Sequence, residues 1–405
     1  MPHSLLYLCA TWPDPPGETF VHQELQDLAP HFDRVVVVPT EACSPGEARD
    51  APPNVEVRRD VRDAFLSTWS GLGPAGRLAL GLRPAPWLLS EVARWRPSPF
   101  RATVGELAQA RLLANTIDSM VDLDGIDAAA TFWFGRPATV LALLKRKRPG
   151  MPCFSRAHGK DVYAWRSGLP RLPFQRRAAL AMTAVLPDSE AGVKHLRTVH
   201  PPVANRIHLG TLGVPSREEG PVVEDGVLRI LSVSSIIDVK RVHLLAEALM
   251  LVKRSVHWTH VGDGAERPAI ETTVEAMPDH VTVDLLGWLD HAVVLQRYAD
   301  HPVDVFVNVS ASEGLPVSIM EAFAAGVPAM VTAVGGNPEI VVEGAGHLLS
   351  SDPSPEEIAT ALDAWDASDR SRRAKAMDVQ RTRFDSAVNQ AAYADAIHNA
   401  IHAQR

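Results

Sequence analysis

The sequence predicts an α/β protein of two doubly wound parallel-sheet units, and three observations lead there. Short apolar, β-branched runs alternate with longer helical stretches, the pattern of right-handed β-α-β crossovers. The alternation stops once, in "TLGVPSREEGPVVEDG" at 211–226, a glycine-, proline- and acid-rich segment with no apolar period. It then restarts. With 405 residues, 46% of them hydrophobic, the chain is long for one core and rich enough for two. The expected domains are 1–213 and 214–375, followed by a helical segment, 376–405, that packs back on the first domain.

The elements follow in order. "SLLYLCA" and "RVVVVP" (34–39) read as the first two strands, then "AAATFWF" (128–134), "MPCFSRAH" (151–158), "AVLPDS" (184–189) and "RIHLG" (206–210). Helical stretches at 19–31, 103–121 and 136–148 separate them. Segment 211–226 reads as an interdomain linker. Beyond it come "VLRILSVSS" (227–235), "VHWTHVGDG" (256–264), "HVTVDLLGW" (280–288), "VDVFVNVS" (303–310) and "VPAMVTA" (327–333). The stretch 354–405 reads helical. Ligands of doubly wound sheets lie at the carboxyl ends of strands, so the polar and glycine residues after these runs are the ones to watch.

Composition excludes several classes. The formal net charge of −8 argues against a general nucleic-acid binder. No run of about 18 apolar residues occurs, and the first residues lack the cationic start of a signal peptide. Cys9, Cys43 and Cys153 are odd in number and far apart, and are expected to be buried, reduced thiols. These features suggest the cytoplasm, with the inner face of the membrane as an alternative place. Abundant arginine, alanine and proline suggest a bacterial source.

The stretch "SEGLPVSIMEAFAAGVPAMVT" (312–332) carries the chemistry. A buried strand leads into the turn "ASEGLP" and then the helix "VSIMEAFAAG". Pro316 suits the first helical turn, where its missing N–H costs nothing. The amides of Leu315, Val317 and Ser318 then form an anion-attracting helix start. Glu313 before the turn and Glu321 inside the helix suit hydroxyl groups, because a carboxylate accepts from two adjacent OH groups. Glu313 is expected to hold a sugar at one end of a diphosphate, and Glu321 a ribose at the other. The plain alternative is a pair of acids that merely favours the helix dipole.

"EGLPVSIME" resembles the E-x7-E motif of the retaining glycosyltransferases of family 4, which have the GT-B fold. "LSVSSIIDVKRVHLLAEAL" resembles that family's donor-phosphate segment, "THVGDGAERPAIE" its G-D-G turn, "VDLLGWLDHAVVLQRYADHPVDVFVNVS" its nucleoside-contacting stretch, and "VTAVGGNPEIV" its G-G-x-P-E-I segment. In the N-terminal half, "CATWPDPPGETFVHQEL" and "FSRAHGKDVY" resemble bacterial exopolysaccharide and antibiotic-type members. The resemblance implies a metal-independent, hexosyl-type retaining transferase with no tightly bound cofactor. It would move sugar from a nucleotide sugar, with UDP favoured and GDP next. The acceptor would be a hydroxyl of a glycan, a lipid-linked saccharide or a secondary metabolite. A monomer or weak dimer is expected.

The resemblance also assigns residues. Lys240 would neutralise the leaving diphosphate as charge grows on it. Ser235, Gly262, Gly264, Gly287, Gly314, Leu315, Pro316 and Val317 would line the donor site with Glu313 and Glu321. Gly17, in a loop that closes over the donor in family 4, would approach a phosphate through its backbone. His158 would bond the donor sugar's 6-hydroxyl or help move the acceptor proton, with Asp161 beside it. Glu339 is expected to fix its loop, and Trp288 and Tyr298 to pack in the core. One departure stands out: the family has an arginine five residues before the lysine, and this chain has Ser235. Arg241 and Arg156 are the candidate replacements. The rival readings are a nucleotide-sugar epimerase of the same architecture and a catalytically weak nucleotide-binding partner.

Three signals point elsewhere and are set aside. Asp122 and Asp124 in "VDLDG" are expected to form a turn, not a metal site. "KRKRPG" (145–150) suits a helix C-terminus. "APWLLSEVARWRPSPFRATV" (85–104) reads as an amphipathic helix, with peripheral membrane contact or an acceptor lid as alternatives.

Overall fold

The computed structural model describes residues 3–15, 18–82, 87, 100–168 and 171–404. Two compact units divide the chain: 1–211 with 387–405, and 212–386. Each unit carries one six-stranded sheet, and all strand pairings within the sheets are parallel. The expected α/β, GT-B class of two doubly wound sheets is observed.

The first sheet has the order β3-β2-β1-β4-β5-β6, with β1 Ser4–Cys9, β2 Arg34–Pro39, β3 Val55–Val57, β4 Ala128–Thr131, β5 Cys153–Ala157 and β6 Ala184–Pro187. Its central strands are buried on both faces, as expected where helices cover a parallel sheet. In chain order its helices are α1 Thr19–Leu28, α2 Arg59–Gly71, α3 Pro74–Leu82, α4 Phe100–Met120, α5 Arg136–Lys145, α6 Gly159–Val162, α7 Gln175–Ala181 and α8 Glu190–Val199. Ser189 caps α8 by accepting from the Gly192 amide at 3.2 Å.

The second sheet has the order β12-β11-β10-β7-β8-β9, with β7 Leu228–Val233, β8 Val256–Val261, β9 Val281–Leu285, β10 Val305–Asn308, β11 Ala329–Thr332 and β12 Gly346–Leu349. Its helices are α9 Val242–Leu249, α10 Arg267–Glu275, α11 His291–Asp300, α12 Val317–Ala324, α13 Asn337–Ile340, α14 Pro355–Asp363 and α15 Arg370–Arg383. The last helix, α16 Ser386–His402, lies in the first unit from residue 387 onward. Gln390 on it donates to Glu24 Oε2 at 3.3 Å and accepts from the Arg156 guanidinium at 2.9 Å.

Several expectations need correction. The C-terminal segment does not start at 376: α15 packs Ala376 and Val379 into the second unit's core, and only 387–405 joins the first unit. The stretch 211–226 is not a free linker. From residue 212 it belongs to the second unit, where Val214 bridges Asp385, the Gly220 amide donates to Ala325 O at 3.0 Å, and Glu219 pairs with Arg373 at 2.7 Å. Its backbone polar groups find partners on α15 and the turn after α12, which no local pattern reveals. Residues 206–210 form only a single bridge, Ile207 to Val185, because the chain leaves the sheet there. β3 and β12 are short edge strands that the apolar pattern missed. Cys43 is exposed, whereas Cys9 and Cys153 are buried.

Candidate active site

Sheet order places the second unit's candidate site. β7 and β10 are neighbours, although 71 residues separate their ends, and the crossovers leave them in opposite directions. That reversal opens the crevice in which doubly wound sheets bind ligands. The loops leaving both strands meet there, and the Ala311 amide donates to Val239 O at 2.8 Å. A small cavity at this point is lined by Ser232, Ser234, Lys240, Asn308 and Ser310 among others.

Lys240 donates to Glu313 Oε1 at 2.7 Å, and Asn308 Nδ2 donates to the same oxygen at 3.1 Å. Asn308 ends an otherwise apolar strand, so its amide is pinned by the sheet. Glu321 lies on the buried face of α12, where its Oε1 bonds His291 Nε2 at 2.6 Å. Both acids are more than nine-tenths buried. Each engages one oxygen, Oε1, with protein, and no donor among the described residues reaches either Oε2.

The helix start differs slightly from expectation. Pro316 is the N-cap of α12, with ψ of 116°, and Val317 is the first helical residue. The amides of Gly314, Leu315, Val317 and Ser318 have no acceptor among the described residues. A helix of eight residues thus begins with open N–H groups beside two acids and one lysine.

Glycines close the walls. Gly262 has φ of +139°, and a Cβ there would come within 1.9 Å of Ser234 O; one at Gly264 would meet Ile236 O at 2.2 Å. The G-D-G turn therefore packs directly on the loop after β7. Gly335, with φ of +53°, stands as close to Glu313 O, where a Cβ would lie at 2.0 Å. Gly287 lies beside Gly262 and accepts its amide at 2.8 Å. Beneath this wall Trp258 Nε1 donates to Ser232 Oγ, which pairs with His260 Nδ1, each at 2.8 Å; His260 Nε2 donates to Ser234 O at 3.1 Å. Burial lowers the His260 pKa to about 4, so the ring is neutral and anchors the β7 loop.

The replacement cations do not serve. Arg241 adopts φ of 48° and is buried, its guanidinium bonded to Val309 O, Ser310 O, Ser351 O and the Asp352 carboxylate. Arg156, 1% exposed, is held in the first unit by Gly210 O, Gln390 and Glu24. Both guanidiniums are committed to holding the fold. Ser235 is exposed. Trp288 is 73% exposed, against the expected core position, because the turn at Gly287 carries it off the sheet. Tyr298 is packed in the core, and burial raises its phenol pKa well above the usual range.

In the first unit, His158 follows β5 and is buried against Phe132, with ring centroids 4.3 Å apart, and edge-on to Trp133 at 5.6 Å. Its Nδ1 lies 3.3 Å from Asp188 Oδ2 after β6. Asp161, at the first turn of α6, accepts the Phe134 amide at 2.9 Å, and burial pushes its pKa up to about 6. Glu18 accepts the amides of Thr11 and Trp12 and the Trp133 indole N–H, joining the loops after β1 and β4. Gly17 lies outside the described residues, as does most of 85–104.

Sequence reasoning missed Asn308, His291 and Asp188. Asn308 and Asp188 had a usable signal, a polar residue closing an apolar strand. His291 had none, because its partner is fixed only by how α11 packs on α12. Asp122 accepts the Asp124 amide at 3.2 Å, the geometry of a turn. Among the described residues no three His, Cys, Asp or Glu side chains gather as a metal site requires, and no helix is long and apolar enough to cross a membrane.

The fold places the chain among α/β proteins built of two doubly wound parallel-sheet units. Residues 228–365 match the family model described as glycosyl transferases group 1. Among curated proteins, the amylovoran biosynthesis glycosyltransferase AmsK of Erwinia amylovora is 28% identical over 173 residues, 40% of this chain and 41% of that protein. The chain thus matches well under half the length of this relative. Among solved structures, Anabaena HepE in complex with UDP has a TM-score of 0.63 at 15% identity, covering 98% of this chain and 100% of that one. Sucrose-phosphate synthase of Thermosynechococcus elongatus has a TM-score of 0.70 at 16% identity, covering 99% and 100%. The second unit is therefore similar to group 1 glycosyltransferases in sequence, and the whole chain shares their fold.

Proposed function

We propose that the protein is a retaining glycosyltransferase of family 4. It transfers a hexosyl group from a nucleotide sugar, UDP-linked by preference, to a hydroxyl of a glycan or related acceptor in polysaccharide or antibiotic biosynthesis. One observation carries this reading: two buried acids with unoccupied Oε2 atoms flank a helix start with open amides and a single lysine. The amides and Lys240 suit a diphosphate, Glu313 the sugar and Glu321 the ribose. The UDP complex of HepE, a neighbour in fold, supports the choice of base.

No metal is required in this reading, since Lys240 and the helix start supply the positive potential. A thermal-shift panel of UDP-, GDP-, ADP- and dTDP-sugars identifies the donor, which should raise the melting temperature by mass action. Glu321→Ala should weaken binding of that nucleotide about 10-fold or more, the loss of a hydrogen bond to a charged group. Unchanged affinity removes the ribose assignment.

A second reading has an observation of its own. With Ser235 at the usual arginine position, Lys240 is the one cation that this reading gives the diphosphate among the described residues, since Arg241 and Arg156 are both engaged elsewhere. A nucleotide-binding partner with weak turnover would show the thermal shift but no transfer. Incubation with the sugar nucleotide alone distinguishes an epimerase.

A further inference from the structure

The acid inside α12 is held by a side chain of the neighbouring helix. His291 opens α11, and His291, Val294 and Tyr298 share one face of it by helical spacing. Val294 and Tyr298 pack into the core that also takes Ile319, Met320 and Phe323 of α12. That packing sets His291 Nε2 at 2.6 Å from Glu321 Oε1. The carboxylate accepts at this pairing, so Nε2 carries the proton. The His291 side chain is 39% exposed and that of Glu321 8%. Tyr298 lies near the same acid: burial first, and the Glu321 charge second, raise its phenol pKa. Its hydroxyl nevertheless makes no hydrogen bond among the described residues. His291 is therefore the side chain that fixes the direction of the Glu321 carboxylate.

We propose that His291 is a positioning residue that locks Glu321 through Oε1 and so sets how strongly the site prefers a nucleotide with ribose hydroxyls over one without them. A glutamate has three side-chain torsions, and a ligand that must order them binds less well. With His291 in place the rotamer is fixed before the nucleotide arrives. The residue type fits the task. An imidazole donates once through Nε2 and leaves the second carboxylate oxygen open, where an arginine fork takes both. The histidine acts through Glu321 and has no contact of its own to make with the nucleotide. This inference rests on the assignment of Glu321 to the ribose; the hydrogen bond between the two side chains does not.

The test is calorimetric titration of the full-length protein with UDP and with 2′,3′-dideoxyuridine diphosphate, or with the matching guanosine pair where UDP does not bind. The wild type should prefer the ribonucleotide about 10-fold or more. His291→Ala should weaken ribonucleotide binding about 2- to 10-fold, the cost of ordering one freed side chain, and leave the dideoxy affinity unchanged. His291→Gln, which places an N–H near the Nε2 position, should restore the preference. In a Glu321→Ala background His291→Ala should have no further effect. Equal losses for both ligands in His291→Ala would show that the histidine only seats α11, and would overturn the proposal, as would an unchanged ribonucleotide affinity. If Glu321→Ala erases the preference and His291→Ala keeps it, the ribose assignment stands and this proposal alone falls. If the wild type shows no preference, or Glu321→Ala weakens both ligands alike, the ribose assignment falls and takes the proposal with it. Should His291→Ala not fold, His291→Leu, which keeps bulk and removes the donor, replaces it.

Discussion

Lys240 Nζ sits 2.7 Å from Glu313 Oε1, so the loops after β7 and β10 meet through an ion pair at the point where the sheet's strand order reverses. The lysine side chain is a quarter exposed and the glutamate 9%. The ammonium group therefore faces outward with donors to spare, and the acid beneath it holds its place. The pair fixes the position of the ammonium group between the two loops.

Lys240→Ala should lower kcat by about 10²–10³, the effect of removing one preorganised donor from a charge that develops in the transition state. Nucleotide affinity should fall less than turnover. Steady-state kinetics with the preferred sugar nucleotide measures both, and a loss of affinity with kcat unchanged would show that the lysine serves binding alone.

Glu24 and Arg156 form an ion pair at 3.0 Å whose side chains are each 1% exposed. Tyr7 donates to Glu24 at 2.8 Å, and the Tyr393 ring lies 4.3 Å from the guanidinium. Glu24→Gln leaves a buried guanidinium without its counter-charge and should cost about 3–5 kcal/mol of stability. Urea denaturation followed by circular dichroism reads the shift in midpoint. Because α16 supplies Gln390 and Tyr393, hydrogen exchange should rise in that helix as well.

His260 is neutral when folded, with its pKa lowered to about 4 chiefly by burial. The unfolded chain binds a proton near pH 6.5 and the folded one does not until about pH 4. Stability from this group is therefore complete above the unfolded value and is lost as pH falls through that window. His260→Gln should flatten the pH dependence of the melting temperature between these limits. His200, lowered to about 4 by burial in the first unit, keeps its own contribution in that variant. An unaltered slope would mean that the His260 ring takes up its proton at the same pH in the folded and unfolded states.

Much of the fold was legible because it rests on local physics. Val35 to Val38 are a β-branched run and Val305, Phe306 and Val307 a β-branched and aromatic one, of the kind that parallel sheets bury on both faces. Pro316 and the glycines at 262, 264 and 335 mark turns whose geometry the residue type itself dictates. The candidate donor site was legible for the same reason: its parts lie at strand ends, and strand ends can be read from apolar runs. The edge strands at 55–57 and 346–349 escaped notice because short edges carry little apolar signal.

What the sequence determined by itself was the alternation of strand and helix, the helix start at 316–318, and the acids on either side of it. The tertiary structure decided who meets whom. Only the order β10-β7 brings Lys240 to Glu313, and only the packing of α11 on α12 gives Glu321 its histidine. Arg241 and Arg156 looked available in sequence and are consumed by backbone carbonyls and carboxylates from distant segments. Hydrogen-bond partners of buried charges are set by contacts across tens to hundreds of residues, and residue type does not encode them.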